Sequence, residues 1–228
     1  MIGIIGAMQI EVENIIELMN AAEIETFAHI KFYKGKINGS NCVVSVCAPG
    51  KVNAAVCAQL MITKYNTEVI INVGVAGSLE ADIKIGDVVV ADSVVQHDVD
   101  TTAVGDERGF ISGLGLVKIL CAKDVTEKIK SAAAQLNEHS HEGCIATGDQ
   151  FIFNKEKLQD IKNTFKAVTC EMESGSIGQV CAMNNVKFSV LKVISDNADD
   201  ASRMDYERFK ILAAQKISKI IVKAIFSF

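Results

Sequence analysis

The chain has 228 residues, of which 49% are apolar and 22% charged, a composition that supports a packed core and is far from that of a disordered chain. Its formal net charge of −5, with arginine limited to Arg108, Arg203 and Arg208, argues against a surface for a phosphate backbone, so nucleic acid is not expected as a partner. Seven cysteines sit in apolar runs without C-x-x-C spacing and read as reduced thiols; with no signal-like start and no apolar run of about 20 residues, a cytoplasmic chain outside the membrane is expected.

In chain order, Met1 to Gly6 reads as a short buried strand, and Gln9 to Asn20 changes to helical spacing through Ile10, Val12, Ile15, Ile16 and Met19. Phe27 to Ile37 and Cys42 to Ala48 are strand-like and joined at Asn38-Gly39-Ser40, a hairpin signal. Lys51 to Tyr65 is an alanine-rich helix, Glu68 to Gly74 a continuous apolar strand, Asp87 to Val95 a further strand and Lys123 to Asn137 a helix. The remainder reads as a strand at Cys144 to Thr147, a helix at Lys155 to Phe165, a strand at Ala167 to Glu171, a helix from Glu173 to Met183, a strand at Phe188 to Ile194 and a closing helix from Tyr206 to Phe226. Continuous apolar strands between helices indicate a sheet covered on both faces. With one proline and no linker-like tract, a single three-layer α/β/α domain over residues 1–228 is expected.

In such sheets ligands collect beyond the carboxyl ends of the strands. The residues there are Gln9 and Glu11, then Gly74-Val75-Ala76-Gly77, Gly148-Asp149-Gln150-Phe151-Ile152, Glu171-Met172-Glu173 and Ser195-Asp196. One carboxylate in such a place caps backbone amides as readily as it does chemistry. Several together, with no arginine beside them, suit a reaction in which a cation develops, and glycosidic cleavage is one. No carboxylate or cysteine stands at ligand spacing from His97, His139 or His141, so no metal is expected, and without a G-x-G-x-x-G in the first strand-helix turn no nicotinamide cofactor is expected either.

The segments Gly3-Ile4-Ile5-Gly6-Ala7-Met8 with Glu11, Gly50-Lys51-Val52, Ile71-Asn72-Val73-Gly74, Gly86-Asp87-Val88-Val89, His97-Asp98, Gly148-Asp149 with Phe151-Ile152, Glu171-Met172-Glu173 and Ile194-Ser195-Asp196 occur in one order along nearly the whole chain. In these the sequence resembles the 5′-methylthioadenosine/S-adenosylhomocysteine nucleosidase family of the purine nucleoside phosphorylase superfamily. The resemblance implies a central mixed twisted sheet, hydrolysis of the bond between adenine and ribose, and a place in methionine salvage. It implies that Glu11 accepts a proton from the attacking water and that Asp196, oriented by Ser195 and kept protonated by burial or by neighbouring carboxylates, donates to purine N7. Glu173 would hold the ribose hydroxyls over Met172, Phe151 would stack on adenine and the backbone of Ile152 would read its edge. Met8, Pro49 and Tyr206 would line the 5′ pocket, completed by Val104 of a second copy in a homodimer.

A phosphate nucleophile needs cationic donors beside the ribose, and none of the three arginines stands near Gly6, Gly50 or Gly74; Glu11 there favours water instead. Val75 stands where relatives usually have serine and Lys192 where they usually have arginine, so the groups that hold the water differ here. Three other readings remain open on the same fold: a nucleosidase for another 5′-substituted purine nucleoside such as 6-amino-6-deoxyfutalosine, a purine nucleoside phosphorylase, and a non-catalytic nucleoside-binding protein.

Overall fold

The computed structural model describes residues 1–196 and 202–226, without the side chains of 21, 22 and 202–208. The elements run β1 (Ile2–Gly6), α1 (Gln9–Glu17), β2 (Asn20–Phe27), β3 (Ile30–Ile37), β4 (Ser40–Val46), α2 (Lys51–Tyr65), β5 (Val69–Ser78), β6 (Val88–Gln96), a one-turn 3-10 helix (Thr102–Val104), β7 (Ile119–Leu120), α3 (Lys123–Gln135), β8 (Ser140–Thr147), α4 (Lys155–Phe165), β9 (Ala167–Glu171), α5 (Ser174–Met183), β10 (Lys187–Asp196) and α6 (Ser202–Ile225).

Strand β5 is the pivot of the sheet. One edge pairs in parallel with β10 from Val69 to Gly77. The other edge is shared: β1 runs parallel to it over Val69 to Asn72, and β9 runs antiparallel at Gly77 and Ser78. β10 continues to β6, β6 to β8 and β8 to β9, so these strands curl back onto β5 as a closed ring, while β1, β4, β3 and β2 extend from it as a wing. Parallel and antiparallel pairs are mixed.

Helices α1, α3 and α6 cover one face through Val12, Ile15, Val125, Ile129, Ile217 and Ile221. Helices α2 and α5 cover the other through Ala54, Cys57, Met61, Ile177 and Cys181, and α4 closes the ring's flank through Leu158, Ile161 and Phe165. This is the expected three-layer α/β/α arrangement. The strands that lie between two helical layers are apolar at nearly every position: in β6 only Asp92 is exposed, and in β10 only Lys187.

Several boundaries differ from the sequence reading. Helix α1 ends at Glu17, and residues 20–27, expected in part as helix, form β2 at the end of the wing. An outer strand with Ile24 facing water carries little of the apolar signal that marks a strand in sequence. Ala28 and His29 take positive φ and separate β2 from β3, so the strand expected from Phe27 begins at Ile30. Asn38 and Gly39 both have positive φ, as a tight two-residue hairpin turn requires. Gly74 to Gly77, read as a loop, belong to β5, and Ser195 and Asp196, read as following a strand, end β10. The short strand β7 had no counterpart in the reading. Among the described residues no helix is long and apolar enough to cross a membrane.

Candidate active site

Because β1 and β9 share one edge of β5 without meeting, Val73 to Ala76 have no strand neighbour on that side among the described residues. A cavity of about 250 Å³ opens there, lined by Met8, Glu11, Pro49, Val75, Phe151, Ile152, Met172, Glu173, Ser195 and Asp196, and also by Ala7, Ala76, Gly77, Gln150, Cys170 and Glu171. Ten of the expected site residues therefore meet in one place. Val104, on the one-turn helix, is 79% exposed and lies outside this lining. Tyr206 lies outside the residues whose side chains are described.

Glu11 occupies the third position of α1, and its side chain reaches back over the helix start. Oε2 accepts from the amides of Ala7 at 2.8 Å and Met8 at 2.9 Å, and Oε1 accepts from Val75 N at 3.1 Å. The Val75 amide is one that the gap in the sheet leaves without a strand partner, so the carboxylate takes the place of the missing strand. Gly74 makes room for it, since a Cβ there would lie 2.6 Å from Glu11 Oε1. Burial raises the pKa of this carboxyl above its ordinary value, opposed by Lys192 and the three amides.

Glu171 and Glu173 flank the start of α5 with opposite roles. Glu171 Oε2 accepts from Glu173 N, from the amide and hydroxyl of Ser174, and from Lys192 Nζ at 3.0 Å, while Oε1 takes the hydroxyl of Thr147. Burial would raise its pKa, but Lys192 and these hydrogen bonds outweigh it and hold Glu171 below the ordinary carboxylate value. A carboxylate so fully engaged has no capacity left for a ligand. Glu173 accepts from Gly50 N at 2.9 Å and otherwise faces the cavity, and burial followed by the charge of Glu171 pushes its pKa to about 7.

Lys192, 1% exposed on β10, is the cation of this cluster. Burial works against its charge, but Glu171, Glu173 and Glu11 together raise its pKa, so it stays an ammonium. At the end of the same strand the register against β5 shifts between Ile194 and Asp196, a bulge at Ser195 that re-aims the chain. Ser195 Oγ donates to Asp196 Oδ2 at 2.8 Å. Asp196 lines the cavity together with Phe151, which is 47% exposed, and Ile152, which is buried.

The rim is tied down by a second network. Lys51 N donates to Asp149 Oδ1 at 2.7 Å, Asp149 N to Asp98 Oδ2 at 2.9 Å, and Lys51 Nζ to Asp98 Oδ1 at 2.7 Å. The sequence reading gave no roles to Glu171, Gly50 or this network, although Glu171-Met172-Glu173, Gly50-Lys51 and His97-Asp98 stood out as segments. Among the described residues no group of three or more His, Cys, Asp or Glu is arranged to hold a metal ion.

A mixed α/β sheet with an acidic cavity at its strand ends, lined by Glu11, Glu173 and Asp196, is the architecture of nucleoside phosphorylase-like proteins. The sequence model of the Phosphorylase superfamily matches residues 1–226. A 5′-methylthioadenosine/S-adenosylhomocysteine nucleosidase of Staphylococcus aureus is 38% identical over 222 residues, 97% of each chain. Among solved structures, a Helicobacter pylori nucleosidase mutant with 5′-methylthioadenosine in its active site superposes with a TM-score of 0.96 at 33% identity, covering 100% of this chain and 98% of that one. A futalosine hydrolase from the same organism gives 0.96 at 34%, covering 100% and 97%, and a Neisseria meningitidis nucleosidase in complex with methylthio-immucillin-A gives 0.96 at 30%, covering 100% and 99%. The chain belongs to the phosphorylase superfamily and, within it, to the 5′-methylthioadenosine/S-adenosylhomocysteine nucleosidase family.

Proposed function

We propose that this protein is an N-glycosyl hydrolase that uses water to release adenine from 5′-methylthioadenosine and S-adenosylhomocysteine. One observation carries the choice of water. The amides of Ala7, Met8 and Val75, which form an anion cradle at the head of the cavity, are already engaged by the Glu11 carboxylate. A phosphate dianion there would meet a fixed negative charge and no arginine fork, whereas a water molecule would meet a base.

In this reading Glu11 takes the proton of the attacking water. Glu173 grips the ribose hydroxyls above Met172, and its charge with that of Glu11 favours the oxocarbenium-like centre at C1′ more than the neutral ground state. Asp196, braced by Ser195, delivers a proton to purine N7 so that adenine leaves neutral. Phe151 stacks on the base, Ile152 reads its edge, and Met8 and Pro49 border the 5′-substituent. Val75 contributes only its amide, through Glu11, so Glu11 holds the water, and the buried Lys192 acts on it only through the charge it sets on Glu11. No cofactor enters these steps. The substrates written in the names of the Staphylococcus relative and the ligand of the Helicobacter structure support the choice of nucleoside.

We take residues 1–228 as one catalytic domain of a cytoplasmic homodimer. Val52 and Val56 on α2 and Val104 beyond the rim are exposed apolar side chains suited to a second copy, whose Val104 would close the 5′ pocket. The likeness to a futalosine hydrolase at 34% identity supports a second substrate, 6-amino-6-deoxyfutalosine. The test is adenine release in phosphate-free buffer from 5′-methylthioadenosine, S-adenosylhomocysteine, 5′-deoxyadenosine and 6-amino-6-deoxyfutalosine, with Asp196→Asn as the control. Release from the two thio-nucleosides, lost in the variant, is expected. Tight binding with no release would make the protein a nucleoside binder, and release from the futalosine alone would move it to the second reading.

A further inference from the structure

His97 follows the last residue of β6 and is 1% exposed, and neither ring nitrogen has a hydrogen-bond partner among the described residues. An imidazole buried without partners is costly, and such a side chain calls for an explanation in terms of what it packs against. Its backbone amide is fixed to Thr147 O at 2.9 Å, which holds the ring in place. The ring lies directly against Gly148: any Cβ at that position would collide with Nε2 and Cε1. Gly148 is not among the glycines with positive φ, so its backbone makes no demand for glycine; the imidazole makes it.

Gly148 begins the loop 148–152, of which Gln150, Phe151 and Ile152 line the cavity. The loop is held at its start by Gly148 N to Glu171 O at 3.1 Å, by Asp149 N to Asp98 Oδ2 at 2.9 Å, by Lys51 N to Asp149 Oδ1 at 2.7 Å, and by the His97 ring against Gly148. Burial pulls the imidazole below its usual pKa; the charge of Asp98 opposes this, while Lys157, Arg108 and Lys51 act with the burial. The ring is therefore a neutral spacer against which the Gly148 backbone rests at the end of β6.

We propose that His97 is a positioning residue for nucleobase recognition, its ring packed on Gly148 to fix the loop that carries Phe151 and Ile152. The proposal rests on the reading of that loop as the base-binding element. It acts on binding and not on the proton transfers of Glu11 and Asp196, which are held by helix α1 and by the end of β10. Loss of the right spacing is therefore expected in KM, not in kcat.

The test compares His97→Ala, Gly148→Ala and the double variant, using 5′-methylthioadenosine. A methyl group at Gly148 pushes against the ring, so the single Gly148→Ala change should raise KM by at least ~10-fold, as misplacement of a substrate-positioning element does. Removing the ring in the double variant should bring KM back by ~3-fold or more, the sign of direct coupling between the two sites. kcat at saturation should stay within ~3-fold throughout, because the reacting groups are untouched. A double variant no better than Gly148→Ala, or a fall in kcat with KM unchanged, would overturn the proposal.

A second readout needs no substrate. The chain has no tryptophan, so Phe151→Trp gives a single fluorophore at the loop. In the substrate-free protein, acrylamide quenching of that tryptophan should rise with Gly148→Ala and fall back when His97→Ala is added. No response to either change overturns the role of His97. A response in quenching with no change in KM shows instead that the loop does not bind the base, and overturns the reading on which the proposal stands. Far-UV circular dichroism confirms that each variant is folded before either measurement counts.

Discussion

Glu11 is committed twice with one side chain. It caps the start of α1 through the amides of Ala7 and Met8, and it faces the cavity where water is to be activated. Glutamine keeps an acceptor oxygen for the cap but accepts no proton, so Glu11→Gln should preserve the melting temperature and lower kcat by ~100-fold or more, with KM changed little. Initial-rate kinetics beside a thermal melt separate the two roles, and a variant with more than about a tenth of the wild-type kcat, a loss of only ~1.4 kcal/mol, would remove Glu11 as the base. Glu173 adds a pH signature. Its pKa is raised from the ordinary 4.5 to about 7, so the folded state holds this proton more tightly than the unfolded chain does. The stability that comes from the protonated form is complete below 4.5 and is lost as pH rises through about 7. Glu173→Gln should therefore melt higher than the wild type above that range and alike below it, with about 2–4 °C for each kcal/mol in a chain of this size. A difference that does not vary with pH would show that the carboxyl is not perturbed. Lys192 makes the reverse case: with methionine in its place Glu171 is left buried without its cation, a loss of ~3–5 kcal/mol that Glu171→Gln in the same chain should partly restore. Thermal melts of the single and double variants check this, and a Lys192→Met protein as stable as the wild type would contradict the pair's role.

At the scale of elements, the site is made by where strands stop. β1 ends at Gly6 and β9 reaches β5 only at Gly77, and Glu11 fills the edge between them. This arrangement tolerates no side chain at Gly74, where a Cβ would lie 2.6 Å from Glu11 Oε1. Gly74→Ala should cost activity through a displaced carboxylate, with kcat reduced by ~10-fold or more, and steady-state kinetics with 5′-methylthioadenosine read this directly. The elements that carry the site were legible in the sequence because they are mostly apolar runs, short in β1 and β9 and longer in β5 and β10, that stand out from flanking polar residues. What was not legible has a common cause. Gly74 to Gly77 look like a loop because glycine is a turn residue, and only the tertiary neighbour Glu11 explains the glycine inside a strand. Strand β2, with Glu23, Glu25 and an exposed Ile24, has no buried face strong enough to announce it. The bulge at Ser195 leaves no compositional trace.

At the scale of the molecule, a sheet that closes on itself gathers residues separated by most of the chain, from Met8 and Glu11 at the start of the first helix to Asp196 at the end of the last strand. The layer order was readable from the alternation of strands and helices; the closure of the ring was not, because it depends on β10 pairing with both β5 and β6. Lys192 and Glu171 belong to what only the assembled sheet reveals, since neither has a local reason to be buried. The proposed dimer comes from the family resemblance, and the exposed Val52, Val56 and Val104 are compatible with it. Sedimentation equilibrium should give twice the 24.6 kDa of one chain, and Val104→Asp should weaken 5′-methylthioadenosine binding if the partner's copy closes the pocket. A monomer at all concentrations would remove that part of the proposal. The account as a whole turns on a carboxylate standing where a phosphorylase would hold its phosphate. The most direct test is the sugar product formed from 5′-methylthioadenosine in excess inorganic phosphate, followed by ³¹P NMR. The account predicts free methylthioribose, at a rate independent of phosphate and with no new phosphorus resonance; a sugar 1-phosphate signal growing with adenine would contradict it.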